Sequence, residues 1–183
     1  MEDITHRVVR HICRQVKRPG RPYDSLRLID RLLRQDRPQG DKTGLITLKI
    51  SEARIRNLHD VVYNTVLMYL SLVPSHPEPW MEMVKYYRDD IHDTEQATIA
   101  SEVAVSVAKL DGNFVRQSLG ERIRTLLKAG KVEFANECLL QIINFRPNQG
   151  SVDIGLENDF LLYPTASELN QNIVAQYRAM LSK

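Results

Sequence analysis

At 183 residues, with 43% hydrophobic and 26% charged side chains, the chain can bury a proper core and has the make-up of an ordinary globular protein. That composition excludes extensive disorder. The net charge is only +2, but residues 1–44 hold 11 Lys+Arg against 6 Asp+Glu while residues 45–183 hold 14 against 17, an asymmetry that points to an anionic partner.

The first predicted helix runs from Asp3, a capping residue, to about Lys17, with Ile4, Val8, Cys13 and Val16 on its apolar stripe. Between Ile4 and Tyr23 there is no acid, and Arg7, Arg10, Arg14, Lys17, Arg18 and Arg21 form a basic surface. Side chains one helical turn apart can meet successive phosphates and release counterions, so these six are the candidate anionic-surface-binding residues. No exposed aromatics are interleaved with them and no base-reading motif is present, so any nucleic-acid binding would be directed at the backbone. The same face suits acidic lipid, or pairing with the acidic remainder of the protein. The PGRP segment at residues 19–22 ends this helix.

A second helix is expected over residues 24–35, burying Leu26, Leu28, Ile29, Leu32 and Leu33. RPQGDKTG, at 37–44, has the polar composition of a surface loop, and in LITLKI, at 45–50, apolar Ile46, Leu48 and Ile50 alternate with Thr47 and Lys49 as in a half-buried strand. Ser51 is the expected cap of a central helix over residues 51–73, where Ile55, Leu58, Val62, Val66, Leu70 and Val73 recur at steps of three and four. Its second half is apolar nearly all round and asks to be covered on several sides. At about 13 strongly hydrophobic residues it is shorter than the roughly 18–20 that span a bilayer. The N-terminus carries no apolar signal region, so the expected location is cytoplasmic or nuclear, neither secreted nor transmembrane.

Pro74, Pro77 and Pro79 end the central helix, and Pro79 can open the next, with Trp80, Met83, Val84, Tyr87 and Ile91 as its stripe. Thr94 or Asp93 caps a helix to about Leu110, with Ile99, Val103, Val107 and Leu110 on its face and Ala97, Ala100, Ala104 and Ala108 allowing close approach. Asp111-Gly112 stops it. Two further helices, about 114–129 and 132–145, are separated by Gly130 at a left-handed position. Residues 146–164 lose helical periodicity, and SVDIGL at 151–156 is a candidate strand partner for LITLKI. A last helix is marked by Thr165 and Glu168 at capping-box spacing, followed by Leu169, Ile173, Val174, Tyr177 and Leu181.

The expected fold is therefore mainly α, a helical bundle of about eight helices around a central apolar helix, with one or two short extended segments. Residues 1–44 are read as a basic N-terminal helical arm or subdomain and residues 45–183 as the globular helical domain. Catalytic signals are sparse. The histidines His6, His11, His59, His76 and His92 include no HExxH, and Cys13 and Cys138 lack any partner at zinc-ligand spacing. Asp89, Asp90, Asp93 and Glu95 cluster at a helix junction without the spacing or glycine of an EF-hand. GDKTG lacks the earlier glycine of a phosphate loop.

Those readings lead to no catalytic residue, no metal, no small-molecule cofactor and no enzyme. The function expected is that of an assembly or adaptor protein that associates with a protein partner or with itself through apolar helix faces, and meets nucleic acid or acidic lipid through its basic helix. The alternative is a backbone-directed nucleic-acid-binding protein, such as a small nucleocapsid-like or regulatory factor. The Arg-rich, motif-free character suits a small viral structural or accessory protein.

Overall fold

The computed structural model describes residues 24–147 and 159–181, which are helical with no strand among them. Eight α-helices follow one another: α1 (Asp24–Leu33), α2 (Gln39–Ile55), α3 (His59–Leu72), α4 (Pro77–Lys85), α5 (Thr94–Asp111), α6 (Val115–Lys128), α7 (Val132–Asn144) and α8 (Gln171–Leu181). A π turn, Tyr86–Asp90, extends α4, and two 3-10 turns, Asp159–Leu162 and Pro164–Glu168, precede α8. The chain divides into two compact units, Met1–Leu72 and Val73–Lys183, so Gly44 lies inside a helix of the first unit.

In the first unit α2 is the middle element and packs against both α1 and α3. The expected loop and strand at 37–50 are instead its first three turns, starting directly after Pro38. Strand-like alternation over six residues was misleading because α2 buries two rows: Leu45 and Leu48 join Ile29 of α1, and Ile46, Ile50 and Ala53 are buried beside them. Two rows on one helix put apolar residues at steps of one, two and three, which a short window reads as alternation. Thr43 and Thr47 settle their hydroxyls on the carbonyls of Gly40 and Thr43, at 2.8 and 2.9 Å, which makes them compatible with the helix.

The predicted helix over 51–73 is broken at Asn57. Asn57 has φ of 54°, its N–H reaches the Arg54 carbonyl, and the Leu58 N–H reaches Ala53 O at 3.0 Å. This is a Schellman stop in which asparagine occupies the left-handed site usually held by glycine. Ser51 consequently sits inside α2, exposed, and caps nothing. α3 buries Val62, Thr65, Val66 and Tyr69 and leaves Leu67 and Met68 exposed. A buried polar clasp joins α1 to α2, where Arg56 donates to the Glu52 carboxylate at 2.6 Å and to Ser25 Oγ at 2.9 Å.

In the second unit α6 is the hub. It packs against α4, α5 and α7 and against both 3-10 turns, and ten of its residues are buried. Leu119, Ile123, Leu126 and Leu127 meet Val105 and Ala108 of α5, Leu139 and Ile142 of α7, and Phe160, Val174 and Tyr177 from the C-terminal segment. The turns are short and their chemistry is local. Asp93 accepts the Gln96 N–H at 3.0 Å to cap α5, Gly112 closes it in the left-handed region, and Gly130 closes α6 with a second Schellman pair. The helix before α5 begins at Pro77 rather than Pro79. At the C-terminus, Thr165 and Glu168 lie in a 3-10 turn and Asn170 receives the first N–H groups of α8 instead. The candidate strand at 151–156 lies outside the described residues.

Candidate functional site

The six basic residues singled out in the sequence, Arg7, Arg10, Arg14, Lys17, Arg18 and Arg21, lie outside the described residues, as does Cys13. Among the described residues no three His, Cys, Asp or Glu side chains converge at metal-binding distance, and no helix is long and apolar enough to cross a membrane. His76 stacks edge-on against Phe114, with ring centroids 5.3 Å apart. His92 takes a left-handed φ of 60° with Nδ1 3.3 Å from the Arg88 carbonyl.

Two features of the second unit stand out. The first is a buried charge cluster centred on Arg88, which sits in the π turn with 4% of its surface exposed. The turn is closed by Ile91 N–H donating to Tyr86 O, five residues back. Pro77, Met81, Val84 and Arg88 are buried at ordinary helical steps of four and three, and the extra residue of the turn carries Ile91, expected next on the stripe, out to the surface. Arg88 donates to Glu121 Oε2 at 2.7 Å and forks onto Asp89 at 2.9 and 2.6 Å, while Arg124 donates to Glu121 Oε1 at 3.0 Å. Lys128 donates to the Arg88 carbonyl at 2.6 Å. Burial opposes the charge on Arg88, but the Asp89 hydrogen bonds and the Glu121 carboxylate outweigh it and hold the guanidinium pKa above its ordinary value. The cluster fastens α4 to α6.

The second feature is the outer surface of α5 and α7. Ala97, Ala104 and Ala108 are fully buried, whereas Ile99 and Leu110, expected inside, are 50% and 90% exposed. The alanine row wins the interior because α4 and α6 approach closely on that side, where larger side chains would not fit. Phe134 of α7 is likewise 54% exposed. Between α5 and α7, above Leu119 and Arg122 of α6, lies a cleft of about 300 Å³ that Phe134 and Cys138 help to line. Polar contacts bridge it: Arg122 forms an ion pair with Glu102 at 2.9 Å and Lys109 donates to the Gln141 amide oxygen at 3.0 Å.

No protein-family model, no curated protein and no solved structure matches the chain. The reading of the surface therefore rests on its own chemistry.

Cys138 lines the cleft but is 4% exposed. Burial pushes its thiol above the ordinary 9.0, although Arg122 beside it pulls the other way. A thiol held protonated is a packing group and a poor nucleophile. In a Cys13→Ser variant, a disulfide reagent at mildly alkaline pH is expected to label Cys138 far more slowly in the native state than in denaturant. Equal rates would place the thiol outside the core. Because the folded pKa is raised, the stability the thiol contributes is complete below 9.0 and is lost as pH rises beyond it.

Proposed function

We propose that the protein is a non-enzymatic assembly or adaptor protein, which associates through outward apolar helix faces and meets an anionic surface through its basic N-terminal segment. The observation that carries this reading is α5, whose inner face is already filled by alanine while Ile99 and Leu110 project outward. Apolar surface covered by a partner gains about 25 cal/mol per Å², and an outward apolar row on a helix already packed on its other side has that gain available. A photo-crosslinking amino acid at position 110, tested in the protein's own host cell, decides the matter. Adducts to a defined protein, or to the chain itself, support association; no adduct at any level of expression overturns it.

The second reading, backbone-directed nucleic-acid binding, is favoured by the charge layout. Residues 1–72 hold 14 Lys+Arg against 8 acids, and residues 73–183 hold 11 against 15. Changing Arg10 and Arg14 together to Glu is expected to weaken binding to RNA, DNA or acidic vesicles irrespective of sequence and to flatten its salt dependence. On this reading the two arginines serve the partner and not the fold, so the melting temperature should hardly move. Loss of stability with binding unchanged would assign these arginines to the protein's own acids instead.

A further inference from the structure

We propose that α5 is the seam of an antiparallel two-fold dimer, the occupant of its outward face being α5 of a second copy; this rests on the association reading above. The outward residues of α5 are Gln96, Ile99, Val103, Ser106 and Leu110, exposed except for a half-buried Val103. Their steps alternate three and four, the spacing that keeps one seam in register between two helices. The opposite side of the helix is committed to α4 and α6, so the seam is open to a partner only from outside.

The charges beside the seam select the partner and its direction. Immediately before every second seam residue, Gln96, Val103 and Leu110, stand Glu95, Glu102 and Lys109, seven residues apart along one flank, while the other flank carries Ala100 and Val107. In a parallel pair each flank faces the opposite flank of its partner, and the charges would meet only alanine and valine. In an antiparallel pair like flanks face each other, and Glu102 of each copy comes to Lys109 of the other. The pattern is self-complementary, with acid in the first half of the helix and base in the second. Its layers then set Ile99 against Leu110 and Val103 against Ser106, each twice by symmetry.

The local hydrogen bonds allow this. Ser106 already donates to the Glu102 carbonyl at 2.8 Å, so its hydroxyl enters the seam satisfied. Glu102 uses one carboxylate oxygen on Arg122 and Lys109 one proton on Gln141, leaving each with capacity for an intermolecular bond. A helix of 18 residues is about 27 Å long, so one helix pair makes a small interface and a dimer in reversible exchange with monomer.

Sedimentation equilibrium of the full chain from micromolar to millimolar concentration tests the proposal. Wild type is expected to show a monomer–dimer equilibrium, and Leu110→Glu to weaken it by about tenfold or more, because it buries an unpaired carboxylate at each end of the seam. Glu102→Lys and Lys109→Glu should each weaken dimerisation, and the double exchange should restore it, with melting temperatures recorded for every variant. A dimer indifferent to Leu110→Glu, or a charge exchange that restores nothing, overturns the α5 seam while leaving association intact. A wild-type chain that stays monomeric while position 110 crosslinks to a different protein overturns the second-copy occupant alone. Monomer throughout with no crosslink overturns both readings.

Discussion

Replacing Glu121 by alanine is expected to destabilise the second unit by about 3–5 kcal/mol, the cost of breaking a buried ion pair by removing one member. Glu121 is shared by Arg88 at 2.7 Å and Arg124 at 3.0 Å, both nearly buried, so one deletion orphans two guanidinium contacts. Arg88→Met should cost less, because Glu121 keeps Arg124. A domain is commonly stable by only about 5–15 kcal/mol, so the first change takes a large share. Urea melts followed by Trp80, the single tryptophan and a residue of α4, report on this unit. If Glu121→Ala shifts the midpoint no further than Arg88→Met, the central position given to Glu121 is wrong. Exchanging Arg88, Glu121 and Arg124 together for apolar residues of similar size should recover much of the loss, since the penalty lies in uncompensated charge.

Val66→Asp is expected to abolish the fold of the first unit, whereas Leu67→Asp next to it should be tolerated. Val66 is 0% exposed and Leu67 is 41% exposed. An aspartate at the first site loses its hydration with no counter-charge, and at the second it keeps water. Far-ultraviolet dichroism and melting temperature separate the two. A Val66→Asp protein with wild-type helicity would show that α3 is packed through another face.

Some helix ends were legible from short-range signals, although Ser51 and the Thr165–Glu168 pair carried such signals and mark no helix start. Asp93, Gly112 and Gly130 act through neighbours within a turn, and each stands in the role its sequence suggested. Asn57 was missed because asparagine is a far weaker sign of a left-handed stop than glycine, and the apolar period runs on across it. LITLKI was misread because two buried rows on one helix imitate alternation. Periodicity also shows that a helix has a stripe without showing which side its neighbours occupy. On α5 the large residues formed the visible stripe and the alanines took the core, so Ile99, Val103 and Leu110 of the proposed seam stood out in sequence as a face, while Gln96 and Ser106 did not. The central helix was sought by hydrophobicity, which passed over α6 because its core positions include Ser118, Glu121, Arg124 and Thr125. Arg88 could not be found by any local pattern, since its partner Glu121 is 33 positions away.

The π turn at Tyr86–Asp90 has a genetic reading. It is an α-helix carrying one residue more than its hydrogen bonds need, so loss of a single codon there would restore ordinary helical spacing instead of disrupting it. Such a deletion would change the angular position of everything upstream relative to everything downstream, by about one hundred degrees at 3.6 residues per turn. Loss of residue 86 or 87 would swing Arg88 away from Glu121 although neither residue had been altered. In a set of single-residue deletions across residues 77–93, the severity of those within the turn therefore measures how far the second unit depends on aim, as distinct from composition.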